Sequence, residues 1–227
     1  MQIELKYQPS YALGIVSLEP HETLQVEGGS MVSMSSDVAI QTKARGGLLK
    51  SLGRALLGGE SFFQNTYQAG PNGGEVTVAP ALPGDLNVTD LQGESLMVQS
   101  GSYVASSEGI EVDTKWGGAK TFFASEGLIM LRVSGHGKAV LSSYGAIHEI
   151  NLAAGERYTI DTGHLVAFSE NMGFNVRSVG GLKSTLFSGE GLVVDMTGPG
   201  RVLLQTRSTD AFLSWLIPKL PKDHSSN

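Results

Sequence analysis

Apolar and polar positions alternate in short runs from the first residues onward. Met1 to Tyr7 has the period-2 pattern of a half-buried strand. Further β-branched or apolar runs follow at Leu13–Leu18, Thr23–Val26, Glu75–Val78, Leu96–Val98, Lys138–Leu141, Arg157–Ile160 and Val202–Leu204. Turn residues stand between most of them, as in Pro71-Asn72-Gly73-Gly74, Pro83-Gly84-Asp85 and Gly198-Pro199-Gly200. Many short strands without intervening helices predict sandwiches or small barrels.

Two segments carry a helical period instead. In Leu48–Leu57 the residues Leu48, Leu49, Leu52 and Leu56 share one face, and Lys50 and Arg54 lie on the other. Glycine pairs bracket this segment at 46–47 and 58–59. The second helix is predicted from Thr209 to Ile217, capped by Ser208 or Thr209 and stopped by Pro218. Its apolar residues Phe212, Leu213, Trp215, Leu216 and Ile217 are expected to cover a sheet edge or form an oligomer contact.

The pattern recurs at a longer scale. GGSMVSMS (28–35), SGSYVASS (100–107) and TGHLVAFS (162–169) are variants of one segment, and each is followed by a second related one. Gly29, Gly101 and Gly163 stand 72 and 62 residues apart, and the aromatic anchors Phe63, Phe123 and Phe187 stand 60 and 64 apart. Two markers in the same order at near-equal spacing predict a triplicated β module of about 60–70 residues, longer than a usual solenoid repeat. The expected limits are about 1–80, with the helix at 48–57 inserted, then about 81–150 and about 151–207. A C-terminal helix and tail follow at 208–227.

Composition narrows the function. The 227 residues are 41% hydrophobic, enough for a sizeable core, and the 30 glycines suit many tight turns. Cys is absent, so neither a disulfide framework nor a thiol nucleophile is available. No apolar run reaches the roughly 20 residues of a bilayer span, and no leader pattern is evident, which predicts a soluble, cytoplasmic protein. A net charge of −6 opposes a nucleic-acid partner. The local exception is Lys43, Arg45, Lys50 and Arg54, in a stretch from 38 to 59 free of Asp and Glu. A basic amphipathic helix of this kind can lie in a membrane interface or meet a protein partner. Packing of its Leu face on its own sheet or on a neighbouring subunit is the plainer expectation.

Candidate chemistry is sparse. The loops at 116–121 and 179–184 resemble phosphate loops, but a residue separates Gly from Lys and a strand is expected to follow, so both read as one recurring turn. The five His residues show no helix-type or hairpin-type metal spacing. His164 stands out because it takes the slot of Ser30 and Ser102. Glu126 and Glu190 read as turn residues, and no Gly-x-Ser-x-Gly elbow occurs. Clefts between repeats, near Tyr103, Phe122 and His164, are the candidate ligand sites. No catalytic, metal-ligating or cofactor-binding residue is assigned.

LPGD (82–85), ASSEGIEVDTKWGG (105–118), SSYGAIHEI (142–150), DTGHLVAF (161–168), VGGLKSTLFSGEGL (179–192) and GPGRVLLQTRS (198–208) together resemble the bacterial branch of the mitochondrial-biogenesis altered-inheritance family. The resemblance covers essentially the whole chain. It implies an all-β fold like that of the tryptophan RNA-binding attenuation protein, with three β-sandwich-like repeats forming a pseudo-trimer. It implies no catalytic residue. The expectation is a non-enzymatic scaffold without cofactor, binding a protein partner or its own copies, with a membrane contact through residues 48–57. A small-ligand or RNA-binding module using the clefts is the alternative, and an enzyme is the weakest reading.

Overall fold

A computed structural model describes residues 1–41, 64–113, 129–179 and 192–221. Among them the first group of strands is β1 (Gln2–Lys6), β2 (Leu13–Leu18), β3 (Thr23–Glu27), β4 (Met31–Met34), β5 (Val38–Gln41), β6 (Gln64–Ala69) and β7 (Gly74–Val78). The second is β8 (Leu86–Gln99), β9 (Tyr103–Ser107), β10 (Ile110–Asp113) and β11 (Met130–Ser142). The third is β12 (Ile147–Leu152), β13 (Arg157–Asp161), β14 (Leu165–Ser169), β15 (Gly173–Ser178), β16 (Leu192–Thr197) and β17 (Gly200–Gln205). Period-2 patterning explains these strands. In β2, for example, Val16 and Leu18 are buried in the core while Ser17 is exposed.

One set of antiparallel pairings occurs three times. In the first module β7 lies between β2 and β4, and β6 lies between β3 and β5. In the third, β17 lies between β12 and β14, and β16 lies between β13 and β15. The second module makes the same pairings with the two halves of β8 and β11, flanked by β9 and β10. A register shift also recurs, between Met31 and Ser33, between Val140 and Leu141, and between Leu165 and Ala167.

The sequence suggests short strands at Leu96–Val98 and Lys138–Leu141, yet they are parts of β8 and β11, which run for 14 and 13 residues. A shift between Ser134 and His136 lets β11 bend without breaking its pairing with β8. Gly135 and Gly137 take φ of +119° and +141° there, conformations that side chains rarely adopt.

The modules join edge to edge. At the first junction β3 pairs with β9, matching Leu24 with Ser107, Gln25 with Ser106 and Val26 with Ala105. At the second, β8 pairs with β14, matching Leu96 with Ser169, Met97 with Phe168 and Val98 with Ala167. Cores are shared in the same direction. Leu86, Val104, Ala105 and Val140 of the second module complete the core of the first. Val166, Ala167 and Leu203, with Ile147 beside them, do the same for the second. Each large apolar side chain buried in this way stabilises the fold by about 1.5–3 kcal/mol.

Polar contacts fasten the joints. The Asp85 N–H donates to the Gly145 carbonyl and the Gly145 N–H to the Pro83 carbonyl, both at 3.0 Å. Gly84 is packed so closely that a Cβ would overlap the Ser143 carbonyl. Arg132 of β11 meets Glu170, just after β14, at 2.7 Å across the second junction. That guanidinium holds the Glu170 carboxyl below its ordinary range. The C-terminal helix α1 (Thr209–Leu216) starts on the predicted Ser208 cap, whose hydroxyl accepts from the Ala211 N–H. It gives way to a 3-10 turn at Ile217–Lys219 that contains Pro218.

Candidate functional site

The three glycine anchors fall in equivalent connections, between β3 and β4, between β8 and β9, and between β13 and β14, the second and third of which are 3-10 turns. The turns read Glu27-Gly28-Gly29-Ser30, Gln99-Ser100-Gly101-Ser102 and Asp161-Thr162-Gly163-His164. A polar side chain opens each one. The Asp161 carboxylate accepts from the Gly163 N–H at 2.7 Å, and the Gln99 side-chain oxygen accepts from the Ser102 hydroxyl at 3.3 Å. In the first turn the Ser30 N–H donates to the Glu27 carbonyl, and Gly29 takes a φ of +94°.

These turns border the cavities. A cleft of about 340 Å³ at the first junction is lined by Glu27, Gly29, Ser30, Gly101, Val104 and Ser142, among others. In the third module a cavity of about 300 Å³ is lined by Tyr158, Ile160, Asp161, His164, Leu204 and Gln205, among others. Register makes the two sites partly equivalent, with Asp161 in the place of Glu27 and His164 in that of Ser30. The residues that line the second cavity all belong to the third module.

His164 is half-buried, and its Nδ1 lies 2.7 Å from the Gln205 carbonyl oxygen. A carbonyl only accepts, so Nδ1–H is the donor and, in the neutral ring, Nε2 keeps its lone pair as an acceptor. The Gln205 side chain spans the second junction, donating to the Gly163 carbonyl and accepting from the Tyr144 N–H, both at 2.9 Å. In the first cleft the same strand position holds the shorter Ser142, which leaves space open. Asp161, Gln205 and Tyr158 went unnoticed in the sequence. Their signal is positional, since Asp161 precedes Gly163 by two residues as Glu27 and Gln99 precede theirs.

Tyr103 is not a cleft residue, which corrects the sequence-based expectation. It is fully buried in the second core, with its hydroxyl 2.8 Å from both Gln64 Nε2 and Ser106 Oγ. Burial pushes its phenol pKa well up, so the hydroxyl stays protonated. Its equivalents Met31 and Leu165 are apolar, and that slot is a core slot. His164 lines the cavity of the third module rather than a cleft between two repeats. Leu48, Leu49, Lys50, Leu52, Arg54, Leu56, Phe122, Glu126, Glu190 and the anchors Phe63, Phe123 and Phe187 lie outside the described residues. So do both glycine-rich loops apart from Val179.

Among the described residues no group of three or more His, Asp or Glu is placed to hold a metal ion. No helix among them is long and apolar enough to cross a membrane. The helix α1 has no buried residue and leaves Leu213 and Trp215 exposed, with Ile217 and Leu220 exposed just beyond it. Phe212 anchors it through an edge-on contact with Tyr144 and a stacked contact with Trp215, at centroid separations of 6.1 and 6.2 Å. Lys219 Nζ sits 5.1 Å from the Trp215 ring centroid.

Comparison with known proteins agrees with this architecture. A family model described as mitochondrial biogenesis AIM24 matches residues 3–207. An uncharacterized protein of Streptococcus pyogenes serotype M6 is 26% identical over 229 residues, covering 97% of this chain and 92% of that protein. A crystal structure of a Streptococcus pyogenes protein superposes with a TM-score of 0.81 at 24% identity, covering 96% of this chain and 99% of that one. At that identity the superposition speaks for the fold alone.

Proposed function

The chain belongs to the mitochondrial biogenesis AIM24 family, and from that premise and the geometry above we propose that it is a non-enzymatic interaction scaffold. The observation that carries this reading is α1 and the turn after it, which hold Trp215 at 58%, Ile217 at 60% and Leu220 at 52% exposure on a rigid β frame. Grouped apolar side chains left in water on such an element are the mark of a docking surface. The basic amphipathic segment at Leu48–Leu57 is the second docking element of the proposal and rests on sequence alone. Cytoplasmic residence, with attachment to a membrane surface through these elements, belongs to the same reading.

The test compares wild type with a Trp215→Ser, Ile217→Ser, Leu220→Ser variant in the protein's own cells, by membrane fractionation and cross-linked partner profile. The proposal expects the variant to lose a partner or leave the membrane fraction. An unchanged profile and fraction would remove α1 as the docking element. Co-sedimentation with anionic vesicles tests the other segment, and equal pelleting of a Leu52→Glu, Leu56→Glu variant would end the membrane part.

A second reading is favoured by the cavity beside His164. An imidazole fixed through Nδ1, with Nε2 free to accept, suits a small ligand that presents a donor to an otherwise apolar recess. This is where a likeness to the tryptophan RNA-binding attenuation protein would bear on function, through a ligand held between modules. Ligand-induced thermal stabilisation that disappears in His164→Ala would support it. A screen in which wild type and variant respond identically would not.

A further inference from the structure

Both junctions have a direction. The β3-type edge of one module pairs with the β4-type edge of the next, and four side chains of the next module enter the earlier core. The same register places Leu13, Val32, Ser33 and Thr77 at the four donor positions of the first module, whose β4 edge meets no other module among the described residues. Val32 is 57% exposed there, and Met34 beside it 38%. At the far end Tyr158 occupies the position of Leu24 and Leu96. Those two are buried at their junctions, whereas Tyr158 is 45% exposed. Among the described residues β4 pairs only with β7, and β13 only with β16. The cavity of about 300 Å³ is bordered by Tyr158, Ile160 and Leu204. Their equivalents Leu24, Val26 and Val78 share the first core with the donated Leu86, Val104, Ala105 and Val140.

We propose that this vacant wall is filled by a second copy of the chain, associating head to tail. β4 of one copy pairs antiparallel with β13 of the next, matching Tyr158 with Ser35, Thr159 with Met34 and Ile160 with Ser33. Val32 enters the cavity, and His164 becomes a junction residue as Ser30 is. The argument for a second copy is continuity, because two junctions of this kind already exist within the chain, and among the described residues β4 and β13 each keep one edge without a strand partner. Charge agrees with it. The exposed Arg157 takes the place of Thr23, whose hydroxyl donates to Glu108 across the first junction, and so comes opposite Ser36, next to the exposed Asp37.

Two donor positions are polar at the head, Ser33 in place of Ala and Thr77 in place of Val or Leu. Their hydroxyls lie 2.6 Å apart and bond each other, so covering them strands neither group. This makes the contact between copies weaker than the two within the chain. A heterologous contact closes into a ring or continues as an open array, according to the rotation per copy. The assembly uses neither α1 nor residues 48–57, so it stands or falls apart from the docking role proposed above.

Sedimentation equilibrium on the full chain tests it. Wild type is expected to form species at multiples of 23.9 kDa as concentration rises. Val32→Glu disables the head and Tyr158→Glu the tail, and both side chains are exposed, so folding is retained and is checked by melting in dilute solution. Each variant alone is expected to associate at least about 100-fold more weakly than wild type, because a carboxylate is driven into an apolar contact. Mixed in equal amounts, the two variants are expected to form a pair of twice 23.9 kDa and nothing larger, since one keeps only its tail and the other only its head. A wild type that remains at 23.9 kDa up to about 1 mM would overturn the proposal. So would a wild type that assembles while the mixed variants form no pair, or variants that assemble as wild type does.

Discussion

Exchanging Val140 for Thr puts the shared-core arrangement to a quantitative test. Val140 lies on β11 of the second module, is wholly buried, and packs in the core of the first. Thr has nearly the same shape, so Val140→Thr leaves no cavity and changes one methyl to a hydroxyl. That hydroxyl enters an apolar cluster where the neighbouring backbone is already paired, as in the match of Val140 with Ala105. Burial of an unbonded hydroxyl costs about 1–3 kcal/mol. In a chain of this length a 2 kcal/mol loss lowers the Tm by about 4–8 °C. The reciprocal change, Thr77→Val, alters the equivalent position in the first module, where Thr77 is buried beside the exposed Ser33. It removes the bond to Ser33, whose exposed hydroxyl then turns to water, so stability is expected to stay within about 1 kcal/mol of wild type. Urea unfolding in dilute solution, followed by circular dichroism, measures both variants. Equal midpoints for Val140→Thr and wild type would refute the reasoning, and so would a larger loss for Thr77→Val.

Other consequences can be measured on the same material. Gly84→Ala drives a methyl group into the Ser143 carbonyl at the joint between modules, and is expected to cost more than about 2 kcal/mol in the same unfolding assay. Tyr103→Phe leaves Gln64 and Ser106 without the phenol they share and is expected to cost about 1–2 kcal/mol, with no change in ligand or partner binding. Arg132 lowers the pKa of Glu170 in the folded state, so this pair's stabilisation is present above the ordinary carboxyl range and is lost as pH falls through the folded pKa. With both side chains partly exposed the contribution is about 0.5–1 kcal/mol, and Glu170→Gln is expected to flatten the acid limb of stability against pH. Asp195, held low by Arg177 at the surface, acts in the same direction and remains in that variant. Ser33→Ala with Thr77→Val gives the head face the composition of an internal junction. Sedimentation is expected to show association tightened by about 10-fold or more.

Local signals in the sequence carried a good part of the fold. The run Leu13–Leu18 is β2 to the residue, Ser208 caps α1, and the three glycine anchors mark equivalent connections between strands. Features that depend on distant partners were not legible. Nothing local shows that Ala105 pairs with Val26 or that Val140 completes another module's core, because a strand's two faces read alike when both are buried. The continuity of β8 and β11 was hidden for a related reason. Gly93, Gly135 and Gly137 look like turn residues, but each relieves a bend inside a long strand. At the candidate site His164 was visible as the exception to a Ser slot, whereas Tyr103, expected beside a cleft between repeats, is a core residue. Its apolar equivalents Met31 and Leu165 pointed to the core. The basic segment at 48–57 is read from its pattern alone.

The claim at the centre of this account is that one junction geometry is used within the chain and again between copies. Disulfide trapping tests it most directly, because the chain has no cysteine of its own. A Met34→Cys, Thr159→Cys double variant places the thiols at positions equivalent to the paired Ser106 and Gln25 of the first junction, within the reach of a cross-strand disulfide. Mild oxidation is expected to give reducible species joining two or more chains. An out-of-register control, Met34→Cys with Arg157→Cys, is expected to give none. Equal trapping in both variants, no trapping in either, or a bond formed only within one chain would contradict the claim.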